Sequence, residues 1–172
     1  MGDEIKQLWL GVILLLAGLA GCSSDSGEHA QPAPLKLFDT RDQAIQEYIR
    51  SEPMSSWTII ELRVDHGPKL LITKRSEEVY AAAQIVEKNK KVSVAKLSGD
   101  FDLTVGSGFK GEFTTLDGKT YTVSVSKEKD AQGTLIKELG ATVTVQEGHH
   151  LGDMQGTVPV NAIQSYEPYG LN

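Results

Sequence analysis

Hydrophobic positions follow three regimes along the chain. They are continuous over residues 8–20, recur at helical spacing between residues 39 and 50, and alternate with polar residues over most of the remaining sequence. In the second regime Ala44, Ile45, Tyr48 and Ile49 fall on one face of a helix. Thr40 with Gln43 three residues on makes a capping-box pattern, Asp42 lies in the first turn, Arg50 in the last, and Pro53 stops the run. This helix needs a sheet to cover its apolar stripe.

The alternating regime predicts that sheet. Over residues 56–64, Ile60, Leu62 and Val64 share one side, and Asp65-His66-Gly67-Pro68 supplies a turn. Residues 69–74 return with Leu70, Leu71 and Ile72. The run from Val79 to Val86 alternates through its three alanines and reads as a strand, although those alanines also suit a short helix. Lys88, Lys90 and Lys91 surround Asn89 in a solvated hairpin turn, and residues 92–98 follow. Asp102, Leu103, Thr104 and Val105 are strand-like.

Residues 109–125 form a hairpin whose register can be argued from side chains. A two-residue turn at Asp117-Gly118 would put Phe113 opposite Thr122, away from Tyr121, Val123 and Val125. A three-residue loop, Leu116-Asp117-Gly118 with Gly118 left-handed, sets Phe113 opposite Tyr121 and gathers the large side chains on one face. The bulged loop is expected. Leu135, Ile136 and Leu139 then make a short apolar piece ending at Gly140, and residues 141–146 make another strand. The fold class read from this order is α+β, mainly β: an N-terminal helix packed on an antiparallel meander sheet or partly closed barrel.

Composition places that fold outside the cytoplasm. The uncharged run over residues 8–20 has the length of a secretory core and is too short for a spanning helix, which needs ~20 residues. It ends in Leu19-Ala20-Gly21-Cys22, which carries the only cysteine of the chain. These four residues resemble the lipobox of bacterial prolipoproteins. The resemblance implies cleavage between Gly21 and Cys22, a diacylglyceryl group and further acylation, such as palmitate, on Cys22, and attachment to the outer face of the cell membrane. Two acyl chains suffice for stable anchoring. The expected organisation is a signal peptide over residues 1–21, a lipidated flexible tether over 22–37 and one globular domain over 38–172. A tether of this kind spans on the order of 20 Å. The order of leader, helix and sheet is also loosely similar to small lipoproteins of spore-forming Gram-positive bacteria, a likeness that implies location and no activity.

A second, local resemblance lies near the other end. Gly156, Val158, Pro159, Asn161 and Ile163 are spaced as in the closing strand and short helical turn of an SH3-like barrel. Only residues 148–155 separate this piece from the preceding strand, so no Trp-bearing hairpin fits and no peptide site is carried over.

Charge and chemistry then narrow the function. A formal net charge of −6 argues against a nucleic-acid partner, whose ligands need a basic surface. With Cys22 under lipid, the domain has no disulfide, thiol nucleophile or cysteine zinc site. His149, His150 and Asp153 have metal-ligating chemistry, but adjacent histidines in extended chain point apart, and Gly148 and Gly152 mark a loop; neither a metal nor any other cofactor is expected. Gly106-Ser107-Gly108-Phe109-Lys110-Gly111 matches a dinucleotide fingerprint by letters, yet a hairpin follows it where a helix is required. Trp57 reads as core or rim packing. No G-x-S-x-G or S-x-x-K occurs to activate a serine. The expectation is a non-enzymatic binding or accessory module, tied to the membrane through Cys22 and serving an envelope protein partner. The alternative is a cell-envelope hydrolase whose site joins Asp100 or Asp102 to His66 or His149.

Overall fold

A computed structural model describes residues 35–52, 58–129, 132–152 and 160–170. The chain enters through Phe38, which forms a single bridge to Val92, and continues into α1 (Arg41–Ser51). The Thr40 hydroxyl accepts from the Gln43 amide at 3.2 Å, Asp42 and Arg50 sit in the first and last turns, and Ala44, Ile45 and Tyr48 are buried. Capping and the apolar stripe thus act as the spacing requires.

Ten strands follow: β1 (Thr58–Val64), β2 (Lys69–Lys74), β3 (Val79–Lys88), β4 (Lys91–Lys96), β5 (Phe101–Asp102), β6 (Gly108–Thr114), β7 (Thr120–Ser126), β8 (Thr134–Ile136), β9 (Ala141–Glu147) and β10 (Ile163–Tyr169). The first sheet has the order β10-β1-β2-β3-β4, with β5 paired to β3; the second has the order β6-β7-β9-β8. All pairings are antiparallel. Among the described residues the domain is therefore mainly β with one short helix, but the expected single meander or partly closed barrel is replaced by two separate sheets.

The reason lies in the apolar faces. In the second sheet Phe113, Tyr121, Val123, Val125, Val143 and Val145 point one way, and a strip of this width needs a cover of equal width. Ile60, Leu62, Leu70, Ile72, Tyr80 and Ala82 of the first sheet supply it, so the two sheets share one core. At ~25 cal/mol per Å² of apolar surface removed from water, this stacking is the main stabilising term. The opposite face of the first sheet carries Ile59, Leu71, Ala83 and Ile85, which pack against Ile45 and Tyr48 of α1. Buried on both sides, β1, β2 and β3 show long buried runs where a one-sided sheet would alternate.

Two further expectations are amended. Residues 102–105 do not form a strand: only Phe101 and Asp102 pair with β3. The Asp102 carboxylate then accepts from the Thr104 amide at 2.8 Å, a local turn that ends the pairing and leaves Val105 96% exposed. The piece at 135–139 is a three-residue strand and a turn, with Ile136 and Leu139 buried and Leu135 exposed.

The hairpin register agrees with the bulged loop. Phe113 faces Tyr121, Thr115 donates to the Lys119 carbonyl at 2.8 Å, and Gly118 has φ +83°. Gly21, Cys22, Trp57, Asp153 and residues 156–159 of the SH3-like piece lie outside the described residues. Within that piece, Asn161 accepts from the amides of Val145 (3.1 Å) and Ile163 (3.3 Å) and donates to Thr134 (3.0 Å), and Ile163 opens β10. Among the described residues no helix is long and apolar enough to cross a membrane.

Candidate functional site

Two places on this scaffold gather polar chemistry. The first is the outer face of the second sheet. Alternation puts Glu112, Thr122 and Gln146 in one row across β6, β7 and β9, and Lys110, Ser124 and Thr144 in the next. The chain after β9 turns back over the first row. Glu112 meets His149 Nδ1 through Oε2 at 3.0 Å, and its Oε1 accepts from the Leu151 amide at 3.0 Å. The Thr122 hydroxyl accepts from the His150 amide (3.0 Å) and donates to the Gly148 carbonyl (2.9 Å), with Glu112 Oε1 3.2 Å away. His150 turns its ring to the Glu147 carbonyl at 2.9 Å, and Lys110 donates to the His150 carbonyl.

The bonds that reach Glu112 favour its charged carboxylate. The hydrogen bond from His149, then that from the Leu151 amide, pull Glu112 from its ordinary 4.5 down to about 2. A group held so firmly anionic is a poor general acid or base near neutrality. Its role in this geometry is to clasp the loop that bears the histidines.

The second place is an open groove of about 420 Å³ at one end of the sandwich. It lies between the turn at residues 65–68, the last residues of β3 and the tip of the β6–β7 hairpin. Gln84 forms part of its floor and accepts the Leu116 amide at 3.0 Å, which fixes the hairpin tip to the first sheet. Pro68 and Leu116 contribute apolar surface, Glu87, Lys88 and Asp117 charge. The three non-glycine residues of positive φ among those described, His66, Asn89 and Lys90, are all in turns at this end. Each costs of order 1–3 kcal/mol, and such strain collects at functional sites.

No protein family, curated protein or solved structure matches the chain. Function is therefore argued from the sequence and the geometry.

The residues singled out for the hydrolase alternative have other partners. Asp100 is paired with Arg75 and lies 3.8 Å from Lys96; Asp102 caps Thr104, whose side chain first and amide second hold the carboxyl below the usual aspartate range. His66 stands 3.5 Å from Asp65 in an exposed turn. Neither aspartate bonds either histidine among the described contacts. Of the metal candidates, His149 and His150 diverge to Glu112 and to a carbonyl, and no described group of three His, Cys, Asp or Glu side chains is arranged around one point. The G-x-G-x-x-G residues run from a turn into β6, with no helix behind them.

Sequence reasoning missed Glu112 and the groove. The signal for Glu112 was present, because the register that sets Phe113 opposite Tyr121 also sets Glu112 opposite Thr122 on the outer face.

Proposed function

We propose that the protein is a lipid-anchored, extracytoplasmic binding module of the cell membrane, non-enzymatic and acting on an envelope partner. The observation that carries this reading is Leu19-Ala20-Gly21-Cys22 at the end of an apolar run, with Cys22 the sole thiol of the chain. Binding rather than catalysis is supported by the groove, which joins apolar surface to main-chain and charged groups, and by the engagement of Asp100, Asp102 and Glu112 in bonds that hold the fold. The buried residues described run from Ala44 to Gln146, so anchoring at Cys22 and folding are expected to be separable.

Cys22→Ala tests the reading. The variant is expected to lose the lipid mass and the detergent-phase partitioning of the wild type while melting with it, since two acyl chains provide the attachment. Mass spectrometry of the mature N-terminus and phase partitioning read the outcome. A wild-type chain without lipid on Cys22, or a variant that partitions as before, overturns the proposal.

A further inference from the structure

The floor of the groove contains an unfinished ladder. The Arg75 amide donates to the Val79 carbonyl at 2.7 Å, which sets the phase of the β2–β3 pairing: Val79, Ala81, Ala83 and Ile85 turn their main-chain groups towards β2, and even-numbered residues turn theirs towards β4. The Leu97 amide on the Ala82 carbonyl (2.9 Å) agrees. The pairing with β2 stops at Lys69 opposite Ile85, yet β3 continues to Lys88, held by β4 alone. By the same alternation Glu87 aims its N–H and C=O to the vacated side, where Gly67 would have stood opposite. Gly67 instead gives its amide to the Val64 carbonyl at 3.1 Å, and Pro68 has no N–H. Glu87 thus offers one donor and one acceptor, spaced as a strand offers them, with no main-chain partner among the described residues.

We propose that this groove docks an extended peptide segment of a partner protein, which pairs its main chain with Glu87 and sets an apolar side chain against Pro68 and Leu116. The inference rests on the binding-module reading and names its ligand class. Three observations select a peptide. The free groups repeat the ladder of β3, which only another extended main chain matches in both polarity and spacing. Leu116 is 53% exposed at the rim, so an apolar residue would gain cover there. Lys88 lines the groove together with the acidic Glu87 and Asp117, a mixed charge that suits a dipolar main chain better than an anionic lipid surface. Lys69 holds the Glu87 carboxylate outside at 2.7 Å, leaving the main chain of that residue to the ligand.

The experiment uses the full chain in detergent against an array of N-acetylated, C-amidated octapeptides of alternating apolar and polar residues, with the best binder resynthesised N-methylated at each position in turn. N-methylation is expected to abolish binding at one position only, that of the residue whose amide meets the Glu87 carbonyl. Glu87→Ala, which keeps the main-chain donor, should bind more tightly than Glu87→Pro, which separates the main chain from the side chain. Glu87→Pro, which removes it without touching the ladder to β4, should bind about tenfold more weakly, as should Leu116→Asp, each losing on the order of one good contact. An array with no binder, methylation effects that are equal at all positions, or Glu87→Pro and Leu116→Asp both binding like the wild type overturns the proposal. Self-association of the chain lost in Glu87→Pro also overturns it, in favour of a second copy. Because the anchor is read separately through Cys22→Ala, failure here leaves that assignment standing or falling on its own.

Discussion

On the far side of the first sheet the buried polar groups include charges beside the Thr73 hydroxyl; on the far side of the second they are hydroxyls and an amide. Glu61, 3% exposed, pairs with Arg41 of α1 at 2.5 Å, and Arg75, also 3% exposed, is forked between Glu52 and Asp100. Thr122, Thr142, Thr144 and Gln146 occupy the corresponding positions of the second sheet. The difference follows from what covers each face. A helix laid on a sheet seals it along its length, so a carboxylate beneath must bring its own counter-ion. A loop leaves the face closer to water and supplies main-chain donors and acceptors that hydroxyls can satisfy.

Breaking the charged side should cost most. Arg75→Ala leaves the Glu52 carboxylate with only Lys96, at 3.0 Å, and is expected to destabilise the domain by about 3–5 kcal/mol, the range for removing one member of a buried pair. Urea denaturation measures it; a loss below about 1 kcal/mol would mean that the network is solvated like a surface pair.

The second sheet should yield less at its most constrained point. Gly118 has φ +83° and open space around the position a Cβ would take, so Gly118→Val introduces backbone strain with no clash. About 1–2 kcal/mol of destabilisation is expected. Gly118→Asn, which tolerates the left-handed region, should recover most of it. Equal midpoints for wild type and valine variant would show that the tip can take up another loop.

The smallest effect concerns the clasp. Glu112 titrates lower when folded than its ordinary 4.5, near 2, so its contribution is complete above 4.5 and disappears as pH falls towards 2. Melting midpoints of wild type and Glu112→Gln should therefore differ near neutral pH and converge across that interval. A gap that stays constant through it would assign the effect of the variant to packing.

Much of the fold could be read from residues close in sequence. The Thr40 cap, the helix face of Ala44, Ile45 and Tyr48, the turns at 65–68 and 88–91, and the register of the β6–β7 hairpin all depend on neighbours within a few positions. Strand separation into two sheets was not legible, because alternation states which side of a strand is apolar and leaves open what will cover it. The long buried runs in β1 and β3 are a consequence of α1 and the second sheet together, and neither strand contains that information. β10 escaped for a related reason: Gln164, Ser165, Glu167 and Pro168 are exposed at an edge, so only Ile163, Tyr166 and Tyr169 carry any pattern. A proline is compatible with an edge strand and would be excluded from a central one. The groove was hidden further still, since it arises where β3 outruns β2, a mismatch of lengths visible only once the pairing is known. The clasp at Glu112 was half legible, through the same register that placed Phe113.

Ala162 gives its amide to the Val145 carbonyl of one sheet and accepts the Asp65 amide at the end of a strand of the other, both at 2.8 Å. A single peptide residue thereby rivets the two layers just before β10 completes the first sheet. Because a chain is made from its N-terminus, β1 must wait for a partner about a hundred residues behind it, and pairing at such separation is slow. Until then β1 has a bare margin and the layers lack their rivet. The first sheet is thus completed late in folding, and in the interval β1 is an edge open to pairing with another chain.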